Sequence, residues 1–381
     1  MGKTNRWDRR GFLGMAGAAG AATAGLVACT GGASGDLAGE VAGERNLPEI
    51  EWDLPTSWPA SLDTIYGGAV TFAERVSALT GGRFRISARE GGELVPPLEV
   101  LQSVQSGGIP AGHTAAYYYV GLSPVTAFGT TLPFGLTYRE QNAWLYQAGG
   151  LEMLQEFYAE TFNLIQFPAG NTGVQMGGWF NRQVNSVADL QGLRMRTAGL
   201  AAQVLGKLGV TVQTLPGAEI FQALQTGAID AAEWVGPYDD LKLDFPAVAR
   251  YYYYPGWWEP GPSLEVQIGL DEWNRLPSIY QDVVRTAARE ANVEMMARYD
   301  FQNSQAMQEL AANPNVELLP FSTEVMDAAQ NASFELFDEL SASDARFREV
   351  YGQWRTFRDS IHSWFGVAER SFLDYATAPP S

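Results

Sequence analysis

From residue 49 onward, apolar positions fall into alternating stretches of helix and strand spacing. Glu49–Asp53 reads as a short strand closed by Pro55. Leu62, Ile65, Ala69, Phe72, Val76 and Leu79 then recur three or four residues apart, the spacing of one buried helix face. Ser61 is placed to cap this helix and Gly81-Gly82 to stop it. Phe84, Ile86 and Ala88 alternate with polar neighbours, as a half-buried strand does. Pro96-Pro97 opens a second helix ending at Gly107, and a strand is expected through Tyr117–Tyr119. The order βαβα implies a largely parallel sheet covered by helices.

The alternation begins again at residue 176. Strands are expected at Met176–Asn181, Leu193–Thr197, Val210–Leu215 and Ile229–Trp234, with helices at Leu200–Leu208 and Ala218–Thr226. The passage Leu101-Gln102…Gln105-Ser106-Gly107 is echoed by Phe221-Gln222…Gln225-Thr226-Gly227, each a helix ended by glycine before a strand. Two similarly wound lobes account for the echo. Beyond residue 269 the spacing is mostly helical, and the Pro-free stretch Tyr280–Leu310 is long enough to run across both lobes.

A length of 381 residues also favours two lobes over one. The 43 acidic against 25 basic residues give a formal charge of −18, without the clustered Lys and Arg that a phosphate backbone needs, so no nucleic-acid partner is expected. Cys29 is the single cysteine, which excludes an intrachain disulfide and a thiolate metal site, and His113 and His362 are too few for a histidine cage. The first 29 residues are an address. Arg9-Arg10 followed by Phe12-Leu13 resembles a twin-arginine export signal, and Leu26-Val27-Ala28-Cys29 resembles a bacterial lipobox with Cys29 as the lipidated residue. Residues 30–48 read as a flexible Gly/Ala-rich tether, and no later stretch is apolar enough to cross a bilayer.

The chemistry concentrates between residues 171 and 262. Gln175, Arg196, Glu233 and Glu259 sit where strands end or loops begin, interleaved with Trp234, Trp257 and Trp258. In open α/β sheets, ligands bind outside the carboxyl ends of strands. Arg196 presents a planar fork that matches a carboxylate. Two Glu and a Gln offer hard oxygen donors of the kind that hold sodium or calcium. If the four converge, a bound cation offsets the excess negative charge that burial penalises. Taken singly, each of these residues is more often a surface ion pair or a solvated rim residue, and spacing alone does not bring them together.

The blocks G-L-R-M-R-T-A-G (192–199), A-A-E-W-V-G-P-Y-D-D (231–240), Y-Y-Y-Y-P-G-W-W-E-P-G-P (251–262), N-T-G-V-Q-M-G-G (171–178) and G-H-T-A-A-Y-Y-Y (112–119) resemble the periplasmic solute-binding proteins of TRAP transporters, in particular the subgroup that binds 2-oxo acids such as pyruvate and its lactate-binding relatives. The resemblance implies an α/β, two-lobed periplasmic-binding-protein fold, with a mixed, mostly parallel sheet in each lobe, a hinge, and a long helix crossing both. It places lobe I at 49–170 plus about 262–300, and lobe II at 171–261 plus about 301–381. It implies no enzyme activity. Arg196 would clamp the ligand carboxylate. Gln175, Glu233, Glu259 and Trp234, the last through its backbone carbonyl, would hold one sodium or calcium ion. Asn171, Tyr117 and Tyr118 would add polar contacts. The partners implied are a small carboxylate, the small and large membrane permease subunits, and a second copy of the chain in a homodimer. A sugar acid or other carboxylate as ligand, a signalling receptor, and a secreted glycoside hydrolase using paired carboxylates are the alternatives.

Overall fold

The computed structural model describes residues 47–377. The expected export signal with Cys29, and tether residues 30–46, lie outside the described residues. Strand β1 (Ile50–Pro55) pairs in parallel with β2 (Phe84–Arg89), and α1 (Ile65–Leu79) connects them. The connection buries Ile65, Ala69, Phe72 and Val76, the face that the sequence spacing marks out. The helix begins at Ile65, three residues later than Leu62, and stops where Gly81 and Gly82 adopt positive φ.

A three-stranded sheet follows. Strands β3 (Ala111–Thr114) and β4 (Leu164–Asn171) flank β10 (Ser263–Gly269), which is antiparallel to both, so β3 and β4 point the same way. A bridge between Thr56 and His113 links this sheet to the end of β1. The remaining strands form one six-stranded sheet. They are β5 (Trp179–Phe180), β6 (Arg194–Arg196), β7 (Thr211–Gln213), β8 (Ala231–Ala232), β9 (Tyr251–Tyr254) and β11 (Glu317–Pro320), in the order β11-β9-β5-β8-β6-β7. The pairs β6–β7, β6–β8 and β9–β11 are parallel, whereas β5 opposes both its neighbours. Antiparallel pairing is thus more frequent than the βαβ reading implies. Both reversals occur where the chain passes directly from one sheet to the other.

Helices α2 (Val100–Gln105), α3 (Tyr138–Gln147) and α4 (Gly150–Phe162) cover the first group of strands, and α5 (Gly199–Lys207), α6 (Gly217–Gln225) and α7 (Pro237–Lys242) accompany the second. Helix α8 (Ser278–Ala312) matches the expected long helix. It packs along α1 and β4 and then reaches α7, so it crosses both lobes. Helices α9 (Thr323–Ser343) and α10 (Ala345–Phe365) close the body. No helix among the described residues is long and apolar enough to cross a membrane.

The expected strand through Tyr117–Tyr119 does not form. Strand β3 ends at Thr114, and residues 116–119 make a 3₁₀ turn. Tertiary bonds account for it. The Tyr119 hydroxyl accepts from the Leu101 N–H at 3.2 Å and bonds Thr114 Oγ1 at 2.9 Å, and the Tyr117 N–H donates to Thr130 Oγ1 at 3.2 Å. Tyr117 and Tyr119 are buried, and Tyr118 partly buried, by packing rather than by a ladder.

Candidate functional site

The sheet topology brings the singled-out residues to one edge. Strands β6, β8 and β9 point the same way, and Arg196 ends β6, Glu233 follows β8, and Glu259 lies beyond β9. Strand β5 runs the opposite way, so Gln175, four residues before it, lies at the same edge. The loops are then tied to one another. The Gln175 N–H donates to the Glu259 carbonyl at 3.0 Å, the Gly256 N–H to the Gln175 carbonyl at 2.9 Å, and the Met176 N–H to the Val235 carbonyl at 3.1 Å.

Arg196 is 1% exposed and its donors are unequally used. Nε donates to the Leu215 carbonyl at 3.1 Å, and Nη1 donates to the Glu233 carbonyl at 3.0 Å and to Glu233 Oε1 at 2.5 Å. Nη2 has no partner. A guanidinium has five N–H donors, so two remain, both on one nitrogen. The symmetric fork that the sequence reading assigns to a ligand is therefore already half engaged with Glu233. The guanidinium also lies 5.0 Å from the Trp234 ring centroid, a cation–π contact that holds its plane.

Around it, buried oxygens lack partners. Both carboxylate oxygens of Glu259, Oε2 of Glu233 and Oε1 of Gln175 make no hydrogen bond, although all three residues are buried. Burial pushes the Glu259 carboxyl well above the usual carboxylate range, and the Glu233 charge adds to the shift, with Arg196 and Tyr117 opposing. Burial also raises Glu233, against the pull of Arg196 and Thr197. Burial disfavours the Arg196 charge, but Glu233, Tyr118, Tyr117 and Glu259 outweigh it and keep the guanidinium protonated. Unpartnered buried oxygens of this kind are rare and costly, and these are all hard donors suited to a sodium or calcium ion. The donor set fits such an ion.

The other wall comes from the first group of strands. Tyr117 and Tyr118 stack at 4.9 Å, and burial pushes the Tyr118 hydroxyl up to about 12. Trp58 packs edge-on to Trp234 at 6.5 Å and donates its indole N–H to His113 Nδ1 at 2.9 Å. Gly199, at the start of α5, has φ of +65° and meets Tyr117 so closely that a Cβ would lie 2.4 Å from the ring. The space they border is small, about 10 Å³, with Ile65, Thr172 and Leu264 also on its walls, and has no room for an oligosaccharide.

Gln175, Trp234, Tyr117 and Tyr118 thus line one space, and Arg196, Glu233 and Glu259 cluster beside it, close enough to act on the Tyr117 and Tyr118 hydroxyls. Asn171 differs. Its Nδ2 donates to the Gly261 carbonyl at 3.0 Å and its Oδ1 accepts from the Gly173 N–H at 2.8 Å, so its side chain mainly shapes the loop. The sequence reading missed Trp58, the Leu215 carbonyl, and Thr172, whose hydroxyl accepts from Gln175 Nε2 at 3.1 Å. Thr172 lay inside a quoted motif block, whereas Trp58 and Leu215 gave no signal.

A two-lobed α/β body with a buried arginine and unpartnered buried oxygens beside a small cavity is the build of a solute-binding protein, and its family and relatives make the chain the binding protein of a transporter, not an enzyme. Residues 56–344 match the profile of DctP, the bacterial extracellular solute-binding proteins of family 7, and the chain belongs to that family. It is 51% identical over 370 residues to a monocarboxylate 2-oxoacid-binding periplasmic protein of Nostoc sp., covering 97% of this chain and 99% of the relative. A TRAP transporter solute-binding protein from Bordetella bronchiseptica, crystallised as a mixed-occupancy dimer with a copurified calcium- and picolinate-bound active site and an apo site, superposes with a TM-score of 0.85 at 43% identity, covering 86% of this chain and 97% of that one. A TRAP periplasmic solute-binding protein from Pseudoalteromonas atlantica with bound sodium and pyruvate superposes with a TM-score of 0.83 at 35% identity, covering 86% and 99%.

Proposed function

We propose that this chain is the periplasmic solute-binding subunit of a TRAP transporter and captures a small monocarboxylate, a 2-oxo acid such as pyruvate. The observation that carries the reading is the unpartnered Arg196 Nη2 beside four unpartnered buried oxygens of Gln175, Glu233 and Glu259. Arg196 Nη2 takes the ligand carboxylate. Gln175, Glu233, Glu259 and the Trp234 carbonyl hold one sodium or calcium ion, which supplies a positive charge shared by protein and ligand oxygens. Two carboxylates, a ligand carboxylate and one guanidinium leave a net charge of −2 in a buried space, which a divalent ion neutralises and a monovalent ion halves. Tyr117 and Tyr118 close over the ligand from the other wall.

In this reading, lobe I comprises 49–170 with about 262–300, and lobe II comprises 171–261 with the remainder. The hinge lies at the two crossings near 171 and 262. Ligand drives closure by binding the closed form better than the open one, and the closed form delivers it to the small and large permease subunits. The similarity to a protein crystallised as a dimer supports a homodimer here. Export by the twin-arginine route and a lipid on Cys29 rest on the sequence motifs at 9–13 and 26–29.

A thermal-shift screen of metal-stripped protein from residue 30 onward tests the reading. It crosses pyruvate, 2-oxobutyrate, lactate and sugar acids with sodium and with calcium. A ligand at a hundred times its Kd adds roughly 2.7 kcal/mol to native stability. A shift with a 2-oxo acid that requires one of the cations is expected. A shift only with sugar acids moves the assignment to that class, and no shift with any carboxylate overturns it.

A further inference from the structure

Beside the cavity stands a charged cluster that the binding chemistry does not use. Asp63 precedes the wall residue Ile65 by two positions. Its carboxylate accepts from Arg298 Nη2 at 2.6 Å, from the Tyr238 hydroxyl at 3.2 Å, and from the Lys242 ammonium. Arg298 belongs to the part of α8 that packs on α1. Tyr238 and Lys242 belong to α7, which follows the Glu233–Trp234 loop of the opposite wall. Lys242 donates a second bond to the Ser61 carbonyl at 3.2 Å, and the Tyr238 N–H donates to Asn303 Oδ1 of α8 at 3.0 Å. Partial burial pushes the Asp63 carboxyl up, but Lys242 and Arg298 together more than offset this and hold it below the ordinary range.

We propose that Asp63 is a rim clamp that sets ligand affinity. Arg298 fixes the Asp63 carboxylate on the side of the cleft that carries Ile65, and Lys242 and Tyr238 reach it from the side that carries Glu233 and Trp234. The proposal rests on the reading of the chain as a binding protein that closes on its ligand. Opening the cleft separates Asp63 from α7. Bonds made only in the closed form favour that form by their own free energy and by no more. The cluster is part-exposed, with Asp63 and Lys242 side chains 42% and 29% accessible, so its contribution is modest and is screened by salt. It acts on release rather than capture, because release requires opening.

The test is release of pyruvate from calcium-loaded protein, followed by tryptophan fluorescence in a stopped-flow instrument. Asp63→Asn and Lys242→Met are each expected to speed release about fivefold, equivalent to about 1 kcal/mol. The double variant is expected to speed release by clearly less than the product of the two single effects, because both remove the Asp63–Lys242 bond and only the Ser61 and Tyr238 bonds differ between them. Added salt is expected to speed release from the wild type and to leave Asp63→Asn unchanged. Unaltered release, or additive effects in the double variant, overturns the proposal, as does a lowered melting temperature of the ligand-free variants with release unaltered. A second arm needs no ligand. Beyond Cys29 the chain has no cysteine, so spin labels on cysteines introduced at exposed Gln105 and Gln222 report lobe separation directly. Asp63→Asn is expected to shift that distribution to longer distances, and an unchanged distribution overturns the clamp. A wild type that ignores pyruvate refutes the ligand reading, and the label distances still decide the clamp.

Discussion

Arg196→Lys is the substitution that most directly tests how the ligand carboxylate is held. The arginine spends one N–H on the Leu215 carbonyl and two on Glu233, leaving the pair on Nη2. Lysine keeps the charge but has three donors in all. To keep Glu233 compensated, which removal of a buried partner would otherwise penalise by roughly 3–5 kcal/mol, the ammonium has to stay with the Glu233 oxygens. Nothing then remains for the ligand. Each charge-assisted hydrogen bond contributes about 1.5–3 kcal/mol, so loss of two at the lower value costs about 3 kcal/mol and raises Kd about a hundredfold. Isothermal titration of pyruvate into calcium-saturated protein measures this. A melting curve of the ligand-free variant accompanies it, because Arg196→Ala would strand Glu233 and confuse lost binding with lost folding. A folded Arg196→Lys protein that binds pyruvate within threefold of wild type would refute the assignment of Nη2 to the ligand.

Three further outcomes are expected. Glu259→Gln replaces a buried carboxylate with two unpartnered oxygens, so calcium affinity should fall at least tenfold while the ligand-free melting temperature holds or rises; undiminished calcium binding in a direct titration removes Glu259 from the metal set. Gly199→Ala places a Cβ 2.4 Å from the Tyr117 ring at a positive φ, so it should resist closure and weaken pyruvate binding at least tenfold, at about 1–3 kcal/mol of backbone strain; wild-type affinity would show that α5 and Tyr117 need not meet. Glu265 accepts bonds from the Tyr158 hydroxyl at 2.7 Å and Gln267 Nε2 at 2.6 Å, yet burial pushes it up to about 7. An unfolded chain gives up that proton near pH ~4.3, so the native state binds more protons across the window from there to about 7, and stability falls as pH rises through it. Glu265→Gln should flatten the decline of melting temperature across that window without abolishing it, since burial also raises Asp240 to about 7; an unchanged slope would exclude Glu265 as a source.

The sequence carried the parts of the fold whose signal is local. Helix α1 showed its buried face in the spacing from Ile65 to Val76, and α8 showed itself as a long Pro-free run. Strands β4 and β10 were missed for different reasons. Leu164–Asn171 contains a proline and does not alternate, whereas Ser263–Gly269 does alternate, Leu264, Val266 and Ile268 with Ser263, Glu265 and Gln267, but buries its polar face as well as its apolar one, so the sequence reading did not place it in a sheet. The Tyr117–Tyr119 run misled because aromatic residues favour strands, whereas here hydroxyl bonds to distant backbone and side chains decide the conformation. At the site, the residue types pointed to carboxylate and cation chemistry. The pairing of Arg196 with Glu233 was invisible, because it depends on β6 and β8 lying side by side.

The order in which strands join the sheets bears on how the chain is made. Until Gly269 has been added, the sheet of β3 and β4 lacks its middle strand, and until Pro320 has been added, the six-stranded sheet lacks β11. An amino-terminal fragment therefore holds neither multi-stranded sheet complete, and β10 and β11 pair with strands far back along the chain, so the closure entropy of those long-range contacts comes before any reward from pairing. Assembly belongs to the end of synthesis. A growing chain displays the open edges of β3, β4 and β9 until its last third emerges, and those edges are what a holding chaperone would have to cover.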